Sequence, residues 1–213
     1  MSRPNNNSPL NVQKGSEKVS GSRLQADLYL QAEKIMEATR LIELGARAGL
    51  AQQLTGLEKA KVNRLYTQLM GRPSPSGQTP FSDTWYLKDK HRLLQAAVIW
   101  KLYQQLIRKE CNTARVYIKV YEGYLAIVNE PLLSLTRASL VPQLVGMGVW
   151  QERRCQTCKT LYLAPVVSRG STCPGCELYY RYRCRRCGSA LELNIKGRYP
   201  KTCPACRPAK KSR

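Results

Sequence analysis

The chain has 213 residues, of which 35 are Lys or Arg and 14 are Asp or Glu, so its net charge is +21. This charge is far outside the range of an ordinary soluble enzyme and indicates a polyanionic partner. The sequence contains no run of eighteen apolar residues and no apolar N-terminal segment, so we expect no membrane contact, no secretory signal and a cytoplasmic protein.

The N-terminal part predicts a tail followed by a long helix. Residues 1–22 are rich in Asn, Ser, Pro and Lys, and they cannot bury enough apolar surface to offset the entropy of ordering. We therefore predict a disordered tail over residues 1–22. From Leu24 apolar residues recur at helical spacing, which predicts an amphipathic helix to about Ala48.

The next stretch has the spacing of a helix-turn-helix. A short helical piece ends at a break at Thr55-Gly56, and a second helix is predicted from Leu57 to Met70, closed by Gly71. Its inward positions are predicted to be Leu57, Val62, Leu65 and Leu69. Its outward polar residues are Lys59, Lys61, Asn63, Arg64 and Gln68. The outward residues Lys59, Lys61 and Arg64 are candidates for DNA contact, although plain helix packing also explains such a junction.

Three more helices are predicted before the composition changes. Residues 71–80 form a connector, and a helix capped by Ser82 or Asp83 follows, apolar on almost every face over residues 93–107. We expect this helix at the centre of the core. Residues 113–130 predict a helix, although residues 116–121 could form a strand, and a last helix is predicted to be interrupted by Pro142.

A domain boundary is predicted near Trp150. Residues 151–213 hold 15 Lys and Arg against 3 Asp and Glu, whereas residues 1–150 hold 20 against 11. Apolar periodicity also gives way there to Cys, Arg, Gly and Pro. We predict a mainly α fold, with a helical N-terminal domain that contains the helix-turn-helix-like segment and with small β ribbons after it. The predicted parts are a helical partner- and DNA-binding domain over 23–150, ribbons over 151–178 and 179–207, and a basic tail over 208–213.

Eight of the nine cysteines form four Cys-x-x-Cys pairs. In a reducing compartment such pairs indicate thiolate metal ligands and not disulfides. Fourteen residues separate the first two pairs and fifteen the last two, and these spans suit closed tetrahedral zinc sites without a position for water. We predict two zinc ions per chain, with these ligands: Cys155, Cys158, Cys173, Cys176, Cys184, Cys187, Cys203 and Cys206. The ninth, Cys111, is expected to be a small buried hydrophobe or a surface thiol.

The order of the pairs permits two ligation schemes, tandem ribbons or an interleaved cross-brace. An internal repeat favours tandem ribbons. Residues 155–176 and 184–206 each contain a knuckle, an apolar run, a turn with Gly, and a Thr-Cys-Pro-x-Cys knuckle.

Arginines alternate with tyrosines between the ribbons. If this segment is extended, the two residue types lie on opposite faces, and the arginines project toward phosphates at set spacing. The predicted DNA contacts are Arg181, Arg183, Arg185 and Arg186. The alternative is that these arginines only solubilise a small ribbon.

Three stretches of the chain resemble the FlhC family. They are Leu44-Gly45-Ala46-Arg47, the helix end at residues 65–71 with the Pro, Gly, Phe and Trp residues that follow it up to Trp85, and residues 131–138; the likeness runs from Leu41 to Cys176. The resemblance implies a mostly helical fold and a four-cysteine zinc site at Cys155, Cys158, Cys173 and Cys176. It also implies a FlhD-like partner subunit and activation of transcription by binding double-stranded DNA upstream of promoters and recruiting RNA polymerase.

The chain departs from the familiar members of this family in having a second set of cysteines and a longer N-terminal tail. These departures favour a relative carried on a mobile element, whose targets are conjugative-transfer genes, over a flagellar one. An RNA-binding or ribosome-associated zinc-ribbon protein is the alternative function. An enzyme and a small-molecule substrate are not expected, since the chain has one histidine, His91, and no phosphate-cradling loop or paired acidic site.

Overall fold

The computed structural model describes residues 17–77, 79–194 and 197–207, so most of the predicted N-terminal tail and the basic tail 208–213 lie outside the described residues. This part of the chain is mainly helical, with one hairpin and a turn of 3-10 helix at Pro204–Cys206. The elements are α1 Glu17–Glu43, α2 Ala48–Thr55, α3 Lys59–Met70, α4 Thr84–Leu87, α5 Lys90–Leu106, α6 Thr113–Ile127, α7 Leu135–Gly146, β1 Trp150–Arg154, β2 Leu161–Pro165 and α8 Pro174–Tyr179. None of these helices is both long and apolar enough to cross a membrane.

The first helix is shifted from its predicted position. α1 begins at Glu17, within the predicted tail, and ends at Glu43 instead of near Ala48. Gly45 adopts φ +90°, and the N–H groups of Gly45 and Ala46 donate to the carbonyls of Ile42 and Leu41. This double hydrogen bond is the Schellman ending, which favours Gly because the left-handed conformation has no steric cost there.

The second and third helices meet at the predicted break. α2 ends at Thr55 before Gly56, and α3 ends at Met70 before Gly71. The five polar residues predicted to face outward are all exposed. The prediction for Leu69 is wrong, because its side chain is exposed and the ring of Tyr66 is buried in its place.

The predicted long helix after residue 83 is two helices. Asp89 adopts extended backbone angles and its carboxylate accepts a hydrogen bond from the His91 N–H at 2.9 Å, so Asp89 caps α5. Asp83 caps neither helix with its side chain; its carboxylate accepts from the Trp150 indole instead. α5 is central as predicted, since it contacts α4, α6, α7, α8 and β2. The His91 side chain is exposed.

α6 and α7 complete the helical body. The helical interpretation of residues 116–121 is confirmed, because they lie within α6. The interruption predicted at Pro142 is wrong, because α7 continues through it to Gly146. Proline cannot donate to the carbonyl one turn back, but α7 is buried along most of its length, and this burial holds the helix together.

The hairpin is attached directly to the helical core. Its strands are antiparallel, with Trp150 opposite Pro165 and Arg154 opposite Leu161. Trp150 is 1% exposed, its ring lies edge-on to Tyr86 at 5.1 Å, and its indole N–H donates to the Asp83 carboxylate at 3.0 Å. The amino-acid composition therefore changes at Trp150, but the side-chain packing of the helical core continues into the hairpin.

Side chains of β2 belong to two different clusters of buried residues. Leu163 belongs to the helical core, whereas Tyr162 and Ala164 pack around the first four cysteines. Alternate residues of a strand point to opposite faces, so one strand joins the helical body to the first cysteine cluster.

Candidate metal centres and basic surface

The first cysteine cluster is formed by the hairpin and α8. Cys155 follows β1, and Cys173 is the N-cap of α8. The four sulfurs of Cys155, Cys158, Cys173 and Cys176 lie within 4.8 Å of one another. The N–H groups of Thr157 and Cys173 donate to the Cys155 sulfur at 3.4 and 3.2 Å. The backbone and its hydrogen bonds therefore bring the four sulfurs of the first cluster together.

The second cluster repeats this arrangement. The sulfurs of Cys184, Cys187, Cys203 and Cys206 also lie within 4.8 Å of one another. The Cys184 sulfur accepts from the N–H groups of Arg186 and Cys203 at 3.4 and 3.3 Å, the same two relative positions as in the first cluster. The predicted internal repeat is therefore present in the backbone, although the described residues of the second ribbon show one strand bridge, between Arg183 and Ala190, in place of a hairpin.

The structure brings the cysteines together in the tandem grouping and not in the interleaved one. Four thiolates around one point are the ligand set of a structural Zn²⁺ site, and the backbone N–H groups at two of the sulfurs stabilise their negative charge. A metal held here would cross-link two knuckles and leave no position for water. The two clusters therefore have the ligand set of a structural and not of a catalytic metal site.

The first two cysteines of each cluster have a lowered pKa, and the first of them is poised to ionise. Burial opposes ionisation of Cys155, but hydrogen bonds from the N–H groups of Cys158, Cys173 and Thr157 outweigh it and lower the pKa of this thiol to about 6. Hydrogen bonds from the N–H groups of Cys187 and Cys203 likewise lower the pKa of Cys184 to about 6. Each cluster therefore offers a thiolate at neutral pH, which is the form that binds metal.

The two knuckles share a left-handed residue after the second cysteine, but its type differs. Lys159 is the only non-glycine residue of the described chain with positive φ, at 62°, and its N–H donates to the Cys155 carbonyl. Its counterpart is Gly188, with φ 76° and the same bond to Cys184. The knuckle needs a left-handed residue, and only the second ribbon has the residue that adopts this conformation without strain.

We predict that Gly188→Ala weakens metal retention by the second cluster. The added methyl group meets only the Tyr179 hydroxyl, at 3.8 Å, so the cost is conformational, about 1 kcal/mol or roughly fivefold in metal affinity. Chelator competition measures it. Lys159→Gly is the matched control in the first ribbon and should not weaken retention; equal losses in both variants would contradict the argument.

The first cluster is anchored to the helical body. α8 packs against α5, and the Lys90 ammonium lies 2.7 Å from the Glu177 carboxylate. The second cluster has a small hydrophobic centre of its own, formed by Cys184, Leu191 and Cys203 with Cys206 against them. The first ribbon is thus part of the main structure, whereas the second is a satellite.

The segment that carries the arginines is not extended as predicted. It consists of the end of α8 and a turn, and Arg183 alone makes a strand bridge. The guanidinium of Arg181 lies 5.2 Å from the ring centroid of Tyr182, and that of Arg183 lies 5.3 Å from Tyr179. Arginines and tyrosines therefore share one surface instead of lying on opposite faces. The four predicted arginines, 181, 183, 185 and 186, are all exposed.

The other predicted DNA contacts lie on a different part of the molecule. Lys59, Lys61 and Arg64 are exposed on α3, which packs against α1 and α2. The two helices that α3 contacts are not the helices that pack against the hairpin and α8. The chain thus presents two separate groups of candidate basic residues.

Comparison with known proteins identifies the family. A family profile described as flagellar transcriptional activator (FlhC) matches residues 25–208, a range that includes both cysteine clusters. The chain belongs to the FlhC family. This chain resembles the flagellar transcriptional regulator FlhC of Pectobacterium carotovorum, with 31% identity over 159 residues, which are 72% of this chain and 82% of that protein. The FlhC of Serratia marcescens is 28% identical over 162 residues, covering 72% and 83%.

A third relative has the same description. The FlhC of Sodalis glossinidius is 32% identical over 134 residues, which cover 60% of this chain and 68% of the relative. The predicted resemblance is confirmed, and so is the prediction that this FlhC-family protein is a transcriptional regulator and not an enzyme. The three relatives are flagellar regulators by name, so they give no support to a transfer-gene target.

Sequence reasoning missed three features of this FlhC-family protein. It did not find the bond between Trp150 and Asp83, since residues 67 positions apart give no local signal. It also missed Arg153, whose guanidinium donates to the carbonyls of Val166 and Ser168 and holds the loop after β2. Tyr199, paired edge-on with Tyr182 at 4.7 Å, was overlooked as well; its place just before the last Thr-Cys-Pro knuckle was the available signal.

Proposed function

We propose that this chain is the DNA-binding FlhC-type subunit of a hetero-oligomer with a FlhD-like partner. The complex acts in the cytoplasm, binds double-stranded DNA upstream of flagellar promoters and recruits RNA polymerase. The observation that carries the proposal is the group of four exposed arginines on a ribbon built around four cysteines. Family membership supplies the regulatory role.

We propose Zn²⁺ as the metal of both clusters, two ions per chain. The ligands are the eight cysteines of the two groups. Bound zinc supplies a structural cross-link, which a ribbon with so small a hydrophobic centre needs in order to fold. The cysteines also set the direction of the arginines, since Arg185 and Arg186 lie between the ligands Cys184 and Cys187.

The basic residues of the two groups have different proposed roles. The four arginines of the second ribbon contact phosphates, which give affinity and register. Lys59, Lys61 and Arg64 on α3 contact DNA where a groove-reading helix would lie. This division follows the predicted parts, with residues 23–150 for partner and DNA binding and with ribbons over 151–178 and 179–207.

The partner is proposed to bind α1. Leu28, Tyr29 and Met36 are 68%, 69% and 72% exposed on this helix, and helical spacing places them on one side of it, with Met36 about two turns after the other two. A groove of about 340 Å³ runs beside them, lined in part by Ala32 and Ile118. Large apolar side chains exposed together mark an interaction site, and the FlhD-like subunit is the occupant that the family suggests.

Co-expression with the FlhD-like protein of the same organism tests the function. We expect a stable complex that contains two zinc ions per FlhC-type chain and protects DNA upstream of a flagellar promoter from cleavage. Competition at fixed salt with unrelated duplex and with RNA gives the specificity ratio, because nonspecific affinity will be high. A complex that prefers RNA would contradict the proposal and favour the RNA-binding alternative.

The double variant Arg181→Ala/Arg183→Ala is expected to weaken binding to all duplexes to a similar degree. Each lost phosphate contact lowers the slope of log K against log salt by about one. Binding isotherms across a salt series measure this slope. Arg108→Ala/Lys109→Ala removes the same charge from exposed residues after α5 and should leave the slope unchanged; a wild-type slope in the ribbon variant would move the phosphate contacts elsewhere.

A further inference from the structure

The second ribbon carries a surface of exposed rings that the proposed duplex contacts leave without a role. Tyr179, Tyr182 and Tyr199 are 55%, 48% and 40% exposed. The rings of Tyr182 and Tyr199 meet edge-on, and Arg181 and Arg183 lie over Tyr182 and Tyr179. We call these five residues the tyrosine–arginine platform.

The three rings are not needed to fill the ribbon's interior. The buried centre of the second ribbon consists of Cys184, Leu191 and Cys203, and none of the platform tyrosines belongs to it. Tyr180, next to Tyr179, shows the contrast, because it packs against the first cysteine cluster. The platform rings therefore keep about half their surface in water, although burying aromatic surface would be favourable.

The platform is fixed in place and strongly basic. Tyr179 ends α8, and its hydroxyl reaches Gly188 in the second knuckle. The Cys184 cluster holds the turn between them. Residues 179–207 contain eight Lys and Arg against one acidic residue, Glu192, so the occupant of this surface is an anion.

We propose that the platform binds single-stranded nucleic acid by stacking unpaired bases on the tyrosine rings while the arginines contact the phosphates. Aromatic side chains combined with a basic surface are the means by which proteins hold single strands without strict sequence preference. Duplex bases are already stacked on one another, so exposed rings add little to duplex binding. This inference goes beyond duplex recognition upstream of a promoter and does not depend on it.

The test compares strands with full-length protein in its complex. Labelled oligonucleotides dT20 and rU20 and a 20-base-pair duplex are titrated at one salt concentration, and affinity is measured by fluorescence anisotropy. Tyr179→Ala and Tyr182→Ala are each expected to weaken single-strand binding by about tenfold and to leave duplex binding within about twofold. The dT20 and rU20 arms show whether the strand is DNA or RNA.

Phenylalanine variants separate stacking from folding. Tyr182→Phe keeps the ring and should retain wild-type affinity for the single strand. Metal content is the second control, because a variant that loses affinity through unfolding of the ribbon also loses one metal ion per chain. If Tyr182→Ala unfolds the ribbon, Tyr179→Ala decides, because Tyr179 is the last residue of α8 and precedes the turn that carries the second cluster. Equal losses of duplex and single-strand affinity, or unchanged affinity in every alanine variant, overturn the proposal; unchanged affinity would leave the rings for a protein partner.

Discussion

Replacing Cys155 with Ser will remove one metal ion and destabilise the helical body, whereas Cys184→Ser will remove one metal ion and leave the helices intact. Cys155 is fully buried beside α8, and α8 packs on α5. Structural zinc contributes about 10–16 kcal/mol to the folding of small zinc domains, so losing a ligand unfolds the ribbon that depends on it. The damage spreads from the first ribbon because β2 also supplies Leu163 to the helical core.

Metal content and thermal unfolding followed by helical circular dichroism measure the difference. Each serine variant should hold one zinc ion per chain against two in the wild type, and only Cys155→Ser should lower the melting temperature of the helices. Promoter binding should be lost in Cys155→Ser. Cys111→Ser is the matched control, because this ninth cysteine is exposed and belongs to neither cluster. A Cys155→Ser protein that keeps two metal ions, or that binds the promoter with wild-type salt dependence, would show that the first cluster does not have this role.

Replacing Trp150 with Ala is expected to cost about 3–5 kcal/mol of unfolding free energy, the usual range for deleting a buried aromatic ring. Trp150 is among the largest fully buried side chains of the described chain. Its loss removes the ring contact with Tyr86 and leaves the Asp83 carboxylate without its indole donor. Denaturant unfolding of the variant measures the cost.

Trp150→Phe and Asp83→Ala divide this loss into its parts. Trp150→Phe keeps a ring but removes the donor, and we expect it to cost about 1–3 kcal/mol because a half-buried, charged acceptor loses its hydrogen bond. If the indole–carboxylate bond couples the hairpin to the helices, the double variant Trp150→Phe/Asp83→Ala loses less unfolding free energy than the sum of the losses in the two single variants. Additive losses would show that the ring contact alone joins them.

The metal centres were readable in the sequence because their geometry is local. A Cys-x-x-Cys pair folds as one knuckle, and the Thr-Cys-Pro motif recurs in both halves, so grouping the pairs needed only the internal repeat. Helix ends marked by Gly56 and Gly71 were predictable for the same reason. The knuckles and the helix ends each depend on residues within about one turn of chain, and the grouping of the knuckles depends on the repeat.

Features set by distant residues could not be predicted. Asp83 and Asp89 are equally good caps by sequence, and the position of Trp150 determined that Asp83 was already engaged. Tyr66 is buried in place of Leu69 because α3 is rotated by its contacts with α1 and α2. The arginines and tyrosines share one face because α8 continues to Tyr179, which an alternating pattern does not reveal.

The strand that is shared between the helical core and the first cysteine cluster fixes the first ribbon relative to the helices. With Leu163 held on one side and Tyr162 on the other, no hinge lies between the helices and the first ribbon. The first ribbon therefore cannot change its orientation relative to the helices by itself. In the proposed DNA complex, the helices and the first ribbon therefore approach the duplex as one rigid unit.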